Sequence, residues 1–243
     1  IPKNIAEIHE MFNLTLGERR FGIPYCTLCG SAQAYRTDDA VTIGGADEVP
    51  VLRTSGLLSR SNKVMYDLRT QSVFDTFTGA AVSGPLQDRG VVLDQATVLR
   101  TTWGEWKEAH PDTTIIAEDG GIGRTYPLDP LQGRDDNGPI VPIGPADDRL
   151  GVQELVVGVI TDDGTPVAFP AADARAVLAA GDSVAAAGVE LVADGGGQRA
   201  VDAATGDPIS SHESFWFAWS QFHPATELWG RCRHRAGRVI GRR

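Results

Sequence analysis

Two stretches of this chain, WGEWKEAHPDT (103–113) and WFAWSQFHPAT (216–226), share the frame W-x-x-W-x-x-x-H-P-x-T. A fold that contains the same unit twice must place two copies of one local structure, which narrows its architectures more than any composition does. Trp103, Trp106 and His110 correspond to Trp216, Trp219 and His223. Tryptophans three apart, with a histidine four further on, lie along one face of a short helix. Pro111 and Pro224 end that helix, because the residue before proline avoids the α region. Large aromatics dominate packing, so all four tryptophans are expected in the core.

A fainter echo runs upstream. YDLRTQSVFDTFTGAAVSG (66–84) parallels VADGGGQRAVDAATGDPIS (192–210), with Asp75, Thr78 and Gly79 answering Asp202, Thr205 and Gly206. Both read as strand, turn, strand, with a D-x-x-T-G turn into the next strand. FGIPYCTLCGSAQAYR answers VVGVITDDGTPVAFP as two strands around a tight turn, so the second copy is shorter and lacks the cysteines. The expectation is a β-dominated α+β fold, internally duplicated, each copy ending in a Trp-bearing helix. Its parts are a first repeat over 1–124, a Pro/Gly/Asp-rich connection over 125–150, a second repeat over 151–229 that forms one compact domain with the first, and a basic tail over 230–243.

Hydrophobic residues at 42% and charged residues at 22% are those of an ordinary globular chain. No apolar run is long enough to span a bilayer, and no charged-then-apolar leader is visible. The formal charge is −10, although residues 231–243 carry six arginines and no acid. The rest of the chain is therefore strongly acidic, which disfavours sequence-independent binding to nucleic acid. The tail reads as a solvated, disordered end.

In their order along the chain, YCTLCGSAQAY, SGLLSRSNKVMYDLRTQSVF, AVSGPL, TTWGEWKEAHPDT and FWFAWSQFHPATELW resemble the DUF3179 family, a bacterial and archaeal group of uncharacterised proteins. The resemblance covers about residues 5–229 and implies no reaction. Many members carry an export signal or lipoprotein anchor, so it implies an extracytoplasmic location, periplasm or cell surface, with a signal or lipid anchor upstream. Cys232, His234 and the arginine-rich tail fall outside the family pattern.

Cys26 and Cys29 carry the chemistry. Thioredoxin-like C-x-x-C motifs open a helix whose dipole activates the first thiol. Here Gly30 and SAQAY follow, with no apolar helical stripe, so strand, C-x-x-C-G, strand is expected: a knuckle at a hairpin tip. Converging sulfurs suit a thiophilic ion, copper in preference to zinc, and Met65 and His110 are the candidate completing ligands. A reversible or structural disulfide without metal, and inert thiols serving folding alone, are the alternatives. A metalloenzyme, a thiol–disulfide redox protein and a structural or ligand-binding module all remain open.

For proton transfer the candidates are Asp67 and His110, and Ser55, Asn62, Thr70, Ser72 and His223 are candidate cleft residues. Asp67, Thr70 and Ser72 read equally well as groups that satisfy the backbone of a tight turn. His110 and His223, at helix ends before proline, read equally as structural.

Overall fold

The computed structural model describes residues 1–38 and 49–230. It is a β-dominated α+β fold with four small sheets among the described residues. The first sheet has the order β1 (Met11–Leu16), β2 (Arg19–Cys26), β4 (Ala34–Arg36) and β9 (Asp94–Ala96), and β3 (Ser31–Ala32) pairs with the end of β2. The second is a meander of β5 (Leu52–Ser59), β6 (Asn62–Asp67), β7 (Val73–Asp75) and β8 (Ala81–Ser83). A third meander comprises β12 (Val184–Ala186), β13 (Val189–Asp194), β14 (Gly197–Asp202) and β15 (Pro208–Ile209). The fourth sheet runs β16 (Ser211–Phe215), β10 (Leu155–Ile160), β11 (Pro166–Pro170), β17 (Glu227–Leu228), with only β17 parallel to its neighbour. Tight turns between short strands force this antiparallel bias.

Among the described residues, five short helices decorate the sheets: α1 (Lys3–His9), α2 (Pro85–Asp88), α3 (Trp103–Ala109), α4 (Ala171–Ala179) and α5 (Trp216–Phe222). β10 explains how the core divides. Its Val157 and Val159 face a cluster with Phe169, Ala174, Val184 and Leu191, while Val156 faces one containing Trp216 and Trp219. With both faces covered, β10 reads LVVGVI rather than alternating with polar residues.

The repeated stretches adopt matching local geometry. α3 and α5 are each seven residues long, and His110 and His223 close them with φ/ψ of −130°/71° and −128°/66°. Trp106 Nε1 donates to Thr113 Oγ1 at 3.0 Å, and Trp219 Nε1 donates to Thr226 Oγ1 at 2.8 Å. In the meanders, Asp75 Oδ1 accepts from the Phe77 and Thr78 amides, and Asp202 Oδ1 accepts from those of Ala204 and Thr205. The Gly79 and Gly206 amides then donate to the Asp75 and Asp202 carbonyls at 2.9 and 2.8 Å. The match stops at the neighbouring sheets, since β9 lies beside the second strand of its hairpin and β16 beside the first.

Burial separates the two helices. Trp216 and Trp219 are in the core as expected, but Trp103 is 42% exposed and Trp106 half-buried. α5 packs against β10 and β16. α3 is held at the surface by Thr101 against the Gly195 carbonyl and His110 against Asp194. One frame thus fixes a helix and its cap, while the surface it meets decides whether its indoles are buried.

This difference predicts unequal costs for one substitution. Thr226→Val, which strands a buried indole N–H, should lower the unfolding free energy by about 1–3 kcal/mol. Thr113→Val, beside the half-buried Trp106, should cost clearly less, because water can replace the lost partner. Urea midpoints of the two variants check this, and equal shifts would contradict it.

The expected connection over 125–150 contains no helix or strand, yet it is not wholly superficial. Tyr126, Leu131 and Leu150 are buried, the Asp147 carbonyl accepts from Trp216 Nε1 at 3.0 Å, and Arg149 stacks over the Trp216 ring.

Candidate thiol site

Cys26 ends β2, and the chain turns through Thr27–Gly30 before β3 pairs back, Cys26 opposite Ser31 and Tyr25 opposite Ala32. Gly30 adopts φ +57°, and a Cβ there would meet the Phe215 ring at 2.9 Å, so the turn requires glycine on both counts. Both thiols are free and buried, at 1% and 0% exposure. They share a cluster with Phe77, Trp216 and Trp219.

The two sulfurs have opposite electrostatics. Burial works against ionising Cys26, but the Cys29 thiol, the Lys63 and Cys29 amides and the Lys63 charge outweigh it and hold its pKa below the usual thiol value. Burial pushes Cys29 well up, reinforced by the Cys26 sulfur that accepts its proton. The Cys29 S–H also faces the Ser61 carbonyl at 3.2 Å. Cys26 is therefore the more acidic of the two thiols, and Cys29 is the donor in their contact. Lys63 is itself ion-paired with Glu10. Ser61 and Arg60 form the β5–β6 turn at φ +63° and +48°, and the Arg60 guanidinium lies 5.2 Å from the centre of the Phe222 ring.

The other sequence candidates are dispersed. Met65 is fully buried with Tyr35, Leu52 and Phe74, in a cluster separate from that of the cysteines. His110 stacks on Trp106 at 4.1 Å and engages Asp194 through Nε2 at 2.6 Å. The structure therefore does not gather Cys26, Cys29, Met65 and His110 around one point. Among the described residues, no group of three or more His, Cys, Asp or Glu is placed to hold a metal ion.

Asp67 uses both carboxylate oxygens on its surroundings: Oδ1 accepts from the Val51 amide at 2.9 Å, and Oδ2 from the Thr70 amide and hydroxyl at 2.8 and 2.9 Å. Thr70 Oγ1 lies 2.9 Å from Ser72 Oγ, which accepts from the Leu86 amide. Ser55 Oγ donates to the Val64 carbonyl, and Asn62 Nδ2 donates to Thr76 Oγ1 at 2.9 Å. These groups bind turns and strands to one another rather than lining one cleft. Cys232 and His234 lie outside the described residues.

His223 lies elsewhere, in a cleft with His212, a residue that sequence reading passed over. The segment SHESF, polar in four of its five residues, forms β16, and its first four residues are buried. Burial lowers the His212 pKa to about 3 and that of His223 to about 4, so both imidazoles are neutral at pH 7.

The family model for DUF3179, described as a protein of unknown function, matches residues 1–207. The chain belongs to this family. Both cysteines, Lys63, the first Trp-bearing helix and the D-x-x-T-G turn of each meander lie within the matched residues, whereas α5 lies beyond them. No curated protein and no solved structure matches the chain.

Proposed function

We propose that this chain is an extracytoplasmic protein that holds a single cuprous ion between Cys26 and Cys29. The observation that carries this reading is a pair of free, buried thiols in one turn, within reach of the Lys63 charge. Soft thiolates select Cu(I), which accepts two-coordinate binding, whereas a structural zinc site calls for four ligands. With both sulfurs deprotonated, a monovalent ion leaves one net negative charge, which would lie beside the Lys63–Glu10 ion pair. Binding would release the Cys29 proton, since the metal displaces it. The location rests on the family resemblance, with its frequent export signals.

A second reading has its own support. Two thiols within hydrogen-bonding reach across a three-residue step can close to a disulfide in an oxidising compartment. The matching helix caps and D-x-x-T-G turns further support an internal duplication in which one copy kept the sulfurs and both copies form one compact domain.

Anaerobic reconstitution separates the readings. About one equivalent of Cu(I) should survive desalting, be lost in Cys26→Ser and Cys29→Ser, and persist in His110→Ala and Met65→Leu, while zinc is not retained. No retained copper, with two further thiols titrating only after reduction of the protein as purified, would replace the copper reading with the disulfide. Loss of copper in His110→Ala would show that the four-ligand set forms after all.

A further inference from the structure

The cleft beside β10 is a second site, one that neither cysteine lines. It encloses about 260 Å³ between the two halves of the chain, with Phe77 and Gln95 on one side and Gly158, His212, Trp219 and His223 on the other. That volume accommodates one ring with a small substituent, less than a drug-sized molecule. Flat rings form much of its wall, with Thr78, Asp94 and Ser210 as polar neighbours: Phe77 meets His212 edge-on at 4.9 Å, Trp219 lies tilted 4.4 Å from His223, and Phe77 is backed by Phe222 at 4.6 Å.

Within these walls, one polar atom lacks a partner. Gln95 Nε2 lies 2.9 Å from His212 Nδ1, and an amide N–H can only donate, so Nδ1 accepts and the ring proton is on Nε2. His212 is 5% exposed, and its Nε2 has no acceptor among the described residues. A buried donor without an acceptor costs free energy that an incoming acceptor recovers. We propose that this cleft binds a small, uncharged, single-ring molecule through a carbonyl oxygen that accepts the His212 Nε2 proton. Asp94 also lines the cleft, its carboxylate paired with Arg36, and beside a neutral imidazole it disfavours a carboxylate ligand, which would lose its hydration and meet a like charge. This binding is independent of the thiol pair and survives the failure of the copper reading.

Acetophenone and ethylbenzene have nearly the same shape and differ in the acceptor, so they test the inference directly. With protein labelled for NMR, acetophenone should shift the His212 ring and Trp219 Nε1 resonances saturably, and ethylbenzene should bind at least tenfold more weakly. His212→Phe should erase that preference. Should His212→Phe fail to fold, Gln95→Glu serves instead: a carboxylate acceptor moves the ring proton to Nδ1, so the preference should pass from acetophenone to phenol. Equal binding of the first two ligands to the unmodified protein would overturn the proposal, as would shifts that leave His212 and Trp219 untouched. So would an unchanged acetophenone preference in either variant.

Discussion

Gly158→Ala is expected to destabilise the protein by more than about 3 kcal/mol, the upper end of overpacking costs, and Gly158→Val should prevent folding at 37 °C. A Cβ at Gly158 would lie 2.0 Å from one carbon of the Trp219 ring and 2.2 and 2.5 Å from two others. The ring is held in place. Its N–H is tied to Thr226, one side meets His223, and the indole is 1% exposed. Moving it would also forfeit burial worth on the order of 5 kcal/mol, taking about 200 Å² of apolar surface at roughly 25 cal/mol per Å². The backbone offers no relief, since Gly158 is the central strand residue opposite both Ala168 and His212. Chemical denaturation of Gly158→Ala measures the effect. A loss below 1 kcal/mol would mean that the indole does not rest on this strand.

Acid should unfold this protein through its histidines. For His212 the folded pKa is about 3, against 6.5 for the ordinary side chain. Between these values the unfolded chain binds a proton that the folded chain refuses, so stability is full above pH 6.5 and falls as pH drops toward 3. At about 1.4 kcal/mol per pH unit below 6.5, His212 alone removes about 2 kcal/mol by pH 5 and about 3 by pH 4. His223, with a folded pKa of about 4, acts in the same direction, by less because it is more exposed. Asp75 and Glu213 oppose them, because burial raises both carboxyl pKa values and their protonation favours the folded state as pH falls. The difference between wild type and His212→Phe isolates the imidazole. Wild type should lose stability between pH 7 and 5 by about 2 kcal/mol more than the variant, and parallel curves would contradict a neutral buried His212.

What the sequence discloses here is local. The W-x-x-W-x-x-x-H-P-x-T frame specifies a helix, its cap and the Trp-to-Thr bond within eleven residues, and the structure contains both copies of that geometry. The D-x-x-T-G turns are legible for the same reason: one carboxylate satisfies two amides within three residues. Long-range placement is not legible. Trp103 and Trp216 share a position in the frame, yet one is exposed and the other buried, because α5 packs against β10 and β16 within the central cluster whereas α3 rests on the Gly195–Gly196 turn. Met65 reads as a soft ligand by type, but the pleat of β6 turns it into a separate cluster. SHESF carries no apolar alternation to mark it as a strand. Its burial comes from pairing with β10 and packing against β3, partners about 55 and 180 residues away in sequence.

The thiol turn is clamped from both halves of the chain. The Phe215 amide donates to the Cys29 carbonyl at 2.8 Å, Arg100 Nη1 donates to the Gly30 carbonyl at 3.2 Å, and the Phe215 ring closes over Gly30. A fragment ending at residue 124 would keep both sulfurs but lose the Phe215 clamp, together with the Trp216 and Trp219 indoles that pack around them. In the reduced, metal-free protein the two cysteines consequently act as a built-in gauge of closure: the rate at which an alkylating reagent reaches them reports how often the halves part.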